Sequence, residues 1–193
     1  MNRNTALLLG LGSLIAWLLY QNRQQVSDLA TSGVDTVTAA LSGWQTVQQG
    51  PRWVPVLNQF EELYLIPTNL LARLAYQESR FRPDIISGLK ASPVGALGLM
   101  QLMPQYFSTV NRPRPYSDAD TTDQINEAAA ELSRLFTVYN DWGAALAAYN
   151  HGQDNINKYL AGSPGYTTLP AETQNYVTEI LADVPVASNF QVA

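Results

Sequence analysis

A single carboxylate stands where a helix is expected to bury an apolar side chain. At about 100° per residue, Leu71, Leu74 and Ala75 project from one side of a predicted helix, and Glu78 falls on the same stripe. An acid on a buried face is costly to ionise, and a carboxylic acid that keeps its proton is what general acid catalysis needs. The structural alternative is that Glu78, near the end of this helix, points outward or pairs with one of the arginines that follow it.

Two glycines precede a short apolar segment that carries one amide. Gly95 and Gly98 are followed by Gln101. Glycine permits sharp turns and a close approach of the backbone to a ligand. Gln101 adds a neutral donor and acceptor without adding charge. The structural alternative is a glycine-rich turn that leads into an apolar helix.

A second amide ends a helix of small residues. Ala147 and Ala148 precede Tyr149 and Asn150, and Gly152 follows as a helix cap. A tyrosine in this position is more often part of a core, and an asparagine is more often a cap. This segment therefore does not define a site by itself.

Four segments, in chain order, resemble the motifs of the soluble lytic transglycosylase (SLT) domain family. They are residues 78–81, ESRF, residues 95–101, GALGLMQ, residues 147–150, AAYN, and residues 172–177, ETQNYV. The resemblance covers roughly residues 60–182. It implies a mainly α, goose-lysozyme-like fold with a saccharide cleft. It also implies cleavage of the MurNAc-GlcNAc bond of peptidoglycan to leave a 1,6-anhydro sugar.

The same resemblance implies roles for individual residues. Glu78 corresponds to the catalytic acid, and Ser92 corresponds to a serine that helps orient the N-acetyl group of the substrate. The remaining candidates are expected to line the cleft and bind substrate, and they are Gln101, Met103, Tyr149, Asn150 and Tyr176.

The resemblance supplies one catalytic carboxylate, whereas the ordinary glycosidase uses two. Asp84 is the nearby candidate for a second acid, and the resemblance implies no role for it. A single acid is chemically sufficient if Glu78 protonates the leaving oxygen, the N-acetyl oxygen of the substrate stabilises the positive charge, and the carboxylate then takes the proton of the C6 hydroxyl. The alternatives are a lysozyme of the same fold, which uses water, and a non-catalytic wall-binding structural protein.

Composition excludes several other chemistries. The chain has 193 residues, 46% of them hydrophobic, which is enough for one packed domain. It has no cysteine and one histidine, His151, so thiol nucleophiles and multi-histidine metal sites are excluded, and we expect no metal or other cofactor. Sixteen acidic residues against eleven basic ones give a net charge of -5, so nucleic acid is not an expected partner.

The elements that must position these residues are predicted to be helices. Apolar spacing and punctuation by proline and glycine predict helices over residues 54–65, from Pro67 to about Arg80, and over 123–140, 144–150 and 172–181, with a break at Gly143. Residues 82–98 and 162–170 are predicted loops. No segment alternates for long enough to require a sheet, so the predicted fold class is mainly α.

An uncharged apolar segment, residues 5–20, lies near the start of the chain. It is short for a bilayer span of about 20 residues, but Trp17 and Tyr20 suit a membrane interface. No small-residue cleavage site follows it, so we interpret residues 1–24 as an uncleaved membrane anchor with the N-terminus inside and the body of the protein outside. The alternatives are a secretory signal with a poor cleavage site and a buried core helix.

A polar stalk over residues 25–51 and a transglycosylase domain over residues 52–193 are predicted to follow the anchor. An anchored enzyme that cuts the cell wall suits a place where a local hole must be opened. Two settings fit, a bacterial envelope machine with the domain facing the wall in the periplasm, and a bacteriophage virion. The expected partners are peptidoglycan glycan strands, a membrane, and proteins of such an assembly.

Overall fold

Residues 43–192 are described by the computed structural model, and they form helices joined by loops. The α-helices are α1 Gly50–Tyr64, α2 Leu70–Ser79, α3 Pro83–Ile86, α4 Asp118–Tyr139, α5 Trp142–His151, α6 Gln153–Leu160 and α7 Ala171–Asp183. Short 3-10 helices lie at Gly43–Thr46 and Ser108–Asn111. Residues 43–192 contain no strand apart from an isolated antiparallel bridge, so the predicted mainly α class is confirmed.

The predicted anchor, residues 1–24, and the first part of the predicted stalk lie outside the described residues. Within residues 43–192, none of the helices has the length and apolar character needed to cross a bilayer.

The chain divides into two compact units at a boundary between Ala128 and Ala129, which falls inside α4. Of the predicted site residues, those up to Met103 belong to the first unit. Those from Tyr149 onward belong to the second unit.

Helix α2 of the first unit is buried on every side from Leu70 to Ala75. Helix α1 packs along it, and the 3-10 helix before α1 packs against both. Helix α1 begins at Gly50, earlier than the predicted start at residue 54, because Pro51 occupies the first turn, where its missing N–H is not needed. The helix predicted from Pro67 to about Arg80 is present as α2, but it begins at Leu70 and not at Pro67, because a turn over residues 68–69 precedes it.

Aromatic and cationic side chains cover one side of α2. The Trp44 ring lies 5.8 Å from the ring of Tyr76, and the guanidinium of Arg73 lies 6.0 Å from the first ring centre and 5.1 Å from the second. These contacts leave Arg73 only 3% exposed. Residues 43–51 of the predicted stalk thus include side chains that pack on the helix carrying the candidate acid.

In the second unit, α5 and α7 pack against each other and α6 packs on α5. Helix α5 continues through Gly143, so the predicted break there is wrong. Asp141 caps the helix, since its Oδ1 accepts hydrogen bonds from the backbone N–H of Ala144 at 3.0 Å and from Ser188 Oγ at 2.7 Å. A Cβ at residue 143 would lie 2.4 Å from Ser188 Oγ. Glycine at this position therefore lets the C-terminal segment pack closely against α5, and it does not end a helix.

Candidate active site

Glu78 lies in the last turn of α2, where the buried stripe reaches the surface. Leu71, Leu74 and Ala75 are 0% exposed, as the sequence predicts, and Glu78 at the end of the stripe is half-buried. Glu78 therefore lies at the end of the apolar stripe, between the fully buried residues of α2 and the exposed residue that follows the helix.

Helix α2 ends at Ser79, directly after Glu78, because the next residues bend the backbone. Ser79 Oγ donates to the Ala75 carbonyl at 2.9 Å and accepts from the Phe81 N–H at 3.1 Å. Arg80 and Phe81 both have left-handed backbones, with φ of 51° and 54°. Such conformations cost of order 1–3 kcal/mol each and persist only where packing holds them. The buried Phe81 and Ser79 side chains supply that packing, a role that sequence reasoning did not assign to them.

Asp84, the nearby candidate for a second acid, is held in a bidentate ion pair. Arg82 Nε and Nη2 donate to its two carboxylate oxygens at 3.1 and 2.6 Å. The hydrogen bonds from Arg82 hold the pKa of Asp84 below its usual value. A carboxylate that is so paired at the start of α3 stays ionised and is poorly suited to donate a proton.

A carboxylate from α1 caps the N-terminus of α2. Asn69, with φ of 68°, makes no side-chain cap, and its Oδ1 instead accepts from Gln45 Nε2 at 3.0 Å. Glu61 accepts from the backbone N–H of Asn69 at 2.6 Å and of Ala72 at 2.9 Å, two of the donors that a helix start leaves without internal partners. Glu61 is 1% exposed and caps the helix that carries Glu78. Sequence reasoning missed it because this cap comes from another helix.

The stability of the fold should depend on the ionisation of Glu61. Burial raises the pKa of Glu61 from 4.5 to about 7, against the opposing effect of the backbone N–H groups. Between pH 4.5 and about pH 7, therefore, Glu61 keeps its proton in the folded state but loses it in the unfolded chain. The resulting stability is fully present below pH 4.5 and is lost as the pH rises to about 7.

We expect Glu61→Gln to remove this pH dependence. Between about pH 4.5 and about pH 8 the wild type should lose roughly 3 kcal/mol more of its unfolding free energy than the variant does. Denaturant unfolding of both proteins at the two pH values measures the difference. Parallel pH profiles would show that Glu61 titrates alike in the folded and unfolded chains.

The segment from Gly95 to Met103 turns back on itself. Leu97 and Leu102 exchange two backbone hydrogen bonds of 3.0 Å, and the turn between them contains left-handed residues at Gly98, with φ of 77°, and Gln101, with φ of 47°. Because a right-handed helix cannot contain such residues, the alternative of a turn leading into an apolar helix is wrong.

Two candidate residues in and next to this segment keep a polar group available for a ligand. Gln101 Nε2 donates to the Gly98 carbonyl at 2.9 Å, so its Oε1 is left as an acceptor among the described residues. Ser92 Oγ accepts from the Ala96 N–H at 2.9 Å, and its hydroxyl proton can still be donated. Met103 is half-buried directly after the bridge. Gln101 and Met103 belong to this segment, and Ser92 is hydrogen-bonded to its residue Ala96.

The second unit gathers its candidates on the paired helices α5 and α7. Tyr149 and Asn150 are half-buried near the end of α5, and Tyr176 of α7 is 5% exposed. Thr173 Oγ1, also of α7, donates to Asn150 Oδ1 at 2.8 Å. Thr173 is not among the residues that the sequence predicts for the site.

Comparison with known families identifies the class of protein that this fold and these side chains define. The family described as Transglycosylase SLT domain matches residues 56–168, more than half of the chain. Among the predicted site residues, only Tyr176 lies outside the matched region. The chain belongs to the transglycosylase SLT family.

Relatives come from bacteria and from a bacteriophage. The soluble lytic murein transglycosylase of Escherichia coli (strain K12) is 31% identical over 133 residues, which cover 61% of this chain and 20% of that protein. The transglycosylase of Enterobacteria phage PRD1 is 32% identical over 106 residues, covering 55% of this chain and 37% of the phage protein. The soluble lytic murein transglycosylase of Salmonella typhimurium (strain LT2) is 31% identical over 125 residues, which cover 56% of this chain and 19% of that protein.

The chain thus spans only a fifth of the length of the Escherichia coli relative and little more than a third of the phage relative. No solved structure matches the chain significantly.

Proposed function

We propose that this chain is a peptidoglycan lytic transglycosylase that cleaves the MurNAc-GlcNAc bond and leaves a 1,6-anhydro-MurNAc end. The observation that carries the proposal is the placement of Glu78, a half-buried carboxyl group at the end of a fully buried apolar stripe, within the region that matches the SLT family. Relatives named lytic murein transglycosylases support the choice of substrate. A goose-lysozyme-like fold with a saccharide cleft is part of the same proposal.

In the first step of the proposed reaction, Glu78 acts as the general acid. Its carboxyl proton passes to the glycosidic oxygen of the departing GlcNAc as the bond from that oxygen to C1 of MurNAc breaks. The carbonyl oxygen of the MurNAc N-acetyl group then stabilises the positive charge at C1. The position of Glu78 at the end of the apolar stripe, within the family-matched region, supports this role.

In the second step, the same group acts as the base. The Glu78 carboxylate removes the proton of the C6 hydroxyl, and O6 bonds to C1 to close the anhydro ring. Glu78 regains its proton, and no water is consumed. The ion pair of Asp84 with Arg82 supports a mechanism with one carboxylate, since it leaves Asp84 poorly suited to proton transfer.

The other candidates would bind the glycan. The Ser92 hydroxyl would orient the N-acetyl group, and the Gln101 oxygen would accept a hydrogen bond from a sugar hydroxyl or amide. Met103 and the ring of Tyr149 would provide apolar surface for sugar rings, and Asn150 would provide an amide. Tyr176 is only 5% exposed, so the glycan would contact no more than the edge of its side chain. These assignments concern Ser92, Gln101, Met103, Tyr149, Asn150 and Tyr176.

The products of digestion test the proposal. Purified peptidoglycan incubated with the protein should yield fragments with anhydro ends, which mass spectrometry distinguishes from reducing ends because they are lighter by one water. Reducing ends would instead establish a lysozyme. Binding to the wall without new ends of either kind would establish a non-catalytic wall-binding protein.

We also propose that residues 1–24 anchor the protein in a membrane and that the domain faces the cell wall, either in the periplasm or within a phage particle. Support comes from the uncharged segment 5–20 and from relatives of both bacterial and phage origin. Fractionation of intact cells and particles, with mass spectrometric detection of the N-terminal peptide, tests this. A soluble form that lacks the segment would refute the anchor.

A further inference from the structure

The hydroxyl of Thr173 makes a different hydrogen bond from those of the other threonines in the α-helices of residues 43–192. The usual arrangement in these helices is donation to the backbone carbonyl four residues earlier, at distances of 2.8 to 3.1 Å, as seen for Thr121, Thr122, Thr137 and Thr178. Thr173 instead donates to Asn150 Oδ1 on α5 at 2.8 Å.

The backbone carbonyl four residues before Thr173 accepts a hydrogen bond from a different side chain. The carbonyl four residues before Thr173 belongs to Leu169, and it accepts from Gln174 Nε2 at 2.8 Å. Thr173 itself is 1% exposed. Its hydroxyl is therefore enclosed between two packed helices, with the Asn150 amide as the acceptor that it reaches.

The hydrogen bond fixes which end of the Asn150 amide faces outward. An asparagine amide has one acceptor oxygen and one NH₂ group with two donors. Because the oxygen is turned to Thr173, the NH₂ group is left without a hydrogen bond among residues 43–192. Asn150 is half-buried at the end of α5, so this donor group borders solvent.

We propose that Thr173 is a positioning residue that orients the Asn150 amide so that its NH₂ group donates to a carbonyl oxygen of the glycan. This inference rests on the proposed function. An NH₂ group offers two donors and no acceptor, so it fits a carbonyl oxygen, such as that of an acetamido group, which only accepts; a hydroxyl would need a further partner for its own proton. Without the Thr173 hydroxyl, the amide is free to rotate and present its oxygen instead.

The test is a double-mutant cycle on glycan binding. Binding of a defined MurNAc-GlcNAc oligosaccharide is measured in the Glu78→Gln background, so that no cleavage interferes, and the cleavage rate is measured with Glu78 intact. Thr173→Val removes the hydroxyl and keeps the shape of the side chain. Thr173→Ser restores the hydroxyl, and Thr178→Val is the matched control, since that hydroxyl bonds only within α7.

We expect Thr173→Val to weaken binding by about five- to tenfold, the effect of one hydrogen bond, and Thr173→Ser to remain within about twofold of the parent. In an Asn150→Ala background, Thr173→Val should cause no further loss, because Thr173 acts through Asn150. Thermal unfolding of each variant shows whether folding is affected separately.

The outcomes separate this inference from the proposed function. An equal loss on Thr173→Val with and without Asn150, or no recovery with serine, overturns the positioning role. Glycan binding that shows the expected coupling without any cleavage by the parent protein overturns the proposed reaction and leaves the positioning role intact. Absence of both binding and cleavage overturns both.

Discussion

Glu78→Gln is expected to abolish cleavage of peptidoglycan while the fold is kept. Glutamine occupies nearly the same space at the end of α2 but cannot donate the proton that the leaving oxygen needs. Loss of general acid catalysis costs about 10² to 10⁴ in rate, and the loss should reach or exceed the upper value because the same group acts as acid and then as base. Release of anhydro ends over time measures the rate.

Asp84→Asn is the matched control for this experiment. It also replaces a carboxylate by an amide in the first unit, but Asp84 is paired with Arg82 and has no role in the proposed mechanism. We expect it to keep most of the activity. If Glu78→Gln retained substantial activity, or if Asp84→Asn lost as much, Glu78 would not be the sole proton donor.

Gly98→Ala is expected to cause the largest loss of stability among single changes in the glycine motif. Residue 98 has φ of 77°, and a Cβ there would lie 2.0 Å from Gln124 Oε1. Gln124 is 0% exposed, so its amide cannot move into solvent to make room. Left-handed strain of about 1–2 kcal/mol and overpacking of about 1–3 kcal/mol add to roughly 2–5 kcal/mol, measurable by denaturant unfolding.

Gly95→Ala separates these two costs. Its φ of 89° imposes comparable backbone strain, but a Cβ there meets nothing within 4 Å. It should therefore lose only about 1–2 kcal/mol. Combining Gly98→Ala with Gln124→Ala should cost less than the sum of the single changes, since the second removes the overlapping amide. Equal losses at residues 95 and 98 would contradict the importance of the overlap.

Much of the helical framework is predictable because its signals are local. The apolar spacing that follows Pro67 is enough to place α2 and its buried stripe, although the helix begins at Leu70 and not at the proline. The 3.6-residue period relates Leu71, Leu74 and Glu78 whatever surrounds the helix. Helix α6 went unpredicted, although Ile156, Tyr159 and Leu160 have helical spacing.

Other features escaped prediction because one residue type serves several purposes. Gly143 predicts a helix break, but α5 includes this residue, and the absence of a side chain makes room for Ser188. Residues 95–103 suit either a turn or an apolar helix by composition. The paired hydrogen bonds of Leu97 and Leu102 decide between them.

By itself the sequence determined the mainly helical class, the position of one acid on an apolar stripe, and the motif order that implies a saccharide-cleaving family. Only the tertiary structure decided that Glu61 caps the helix of Glu78, and that Thr173 turns the amide of Asn150. The physical reason is how far apart along the chain the interacting residues are. Helical periodicity acts over a few neighbouring residues, whereas these hydrogen bonds join positions 8, 11 and 23 residues apart that only the packing of helices brings within 3 Å.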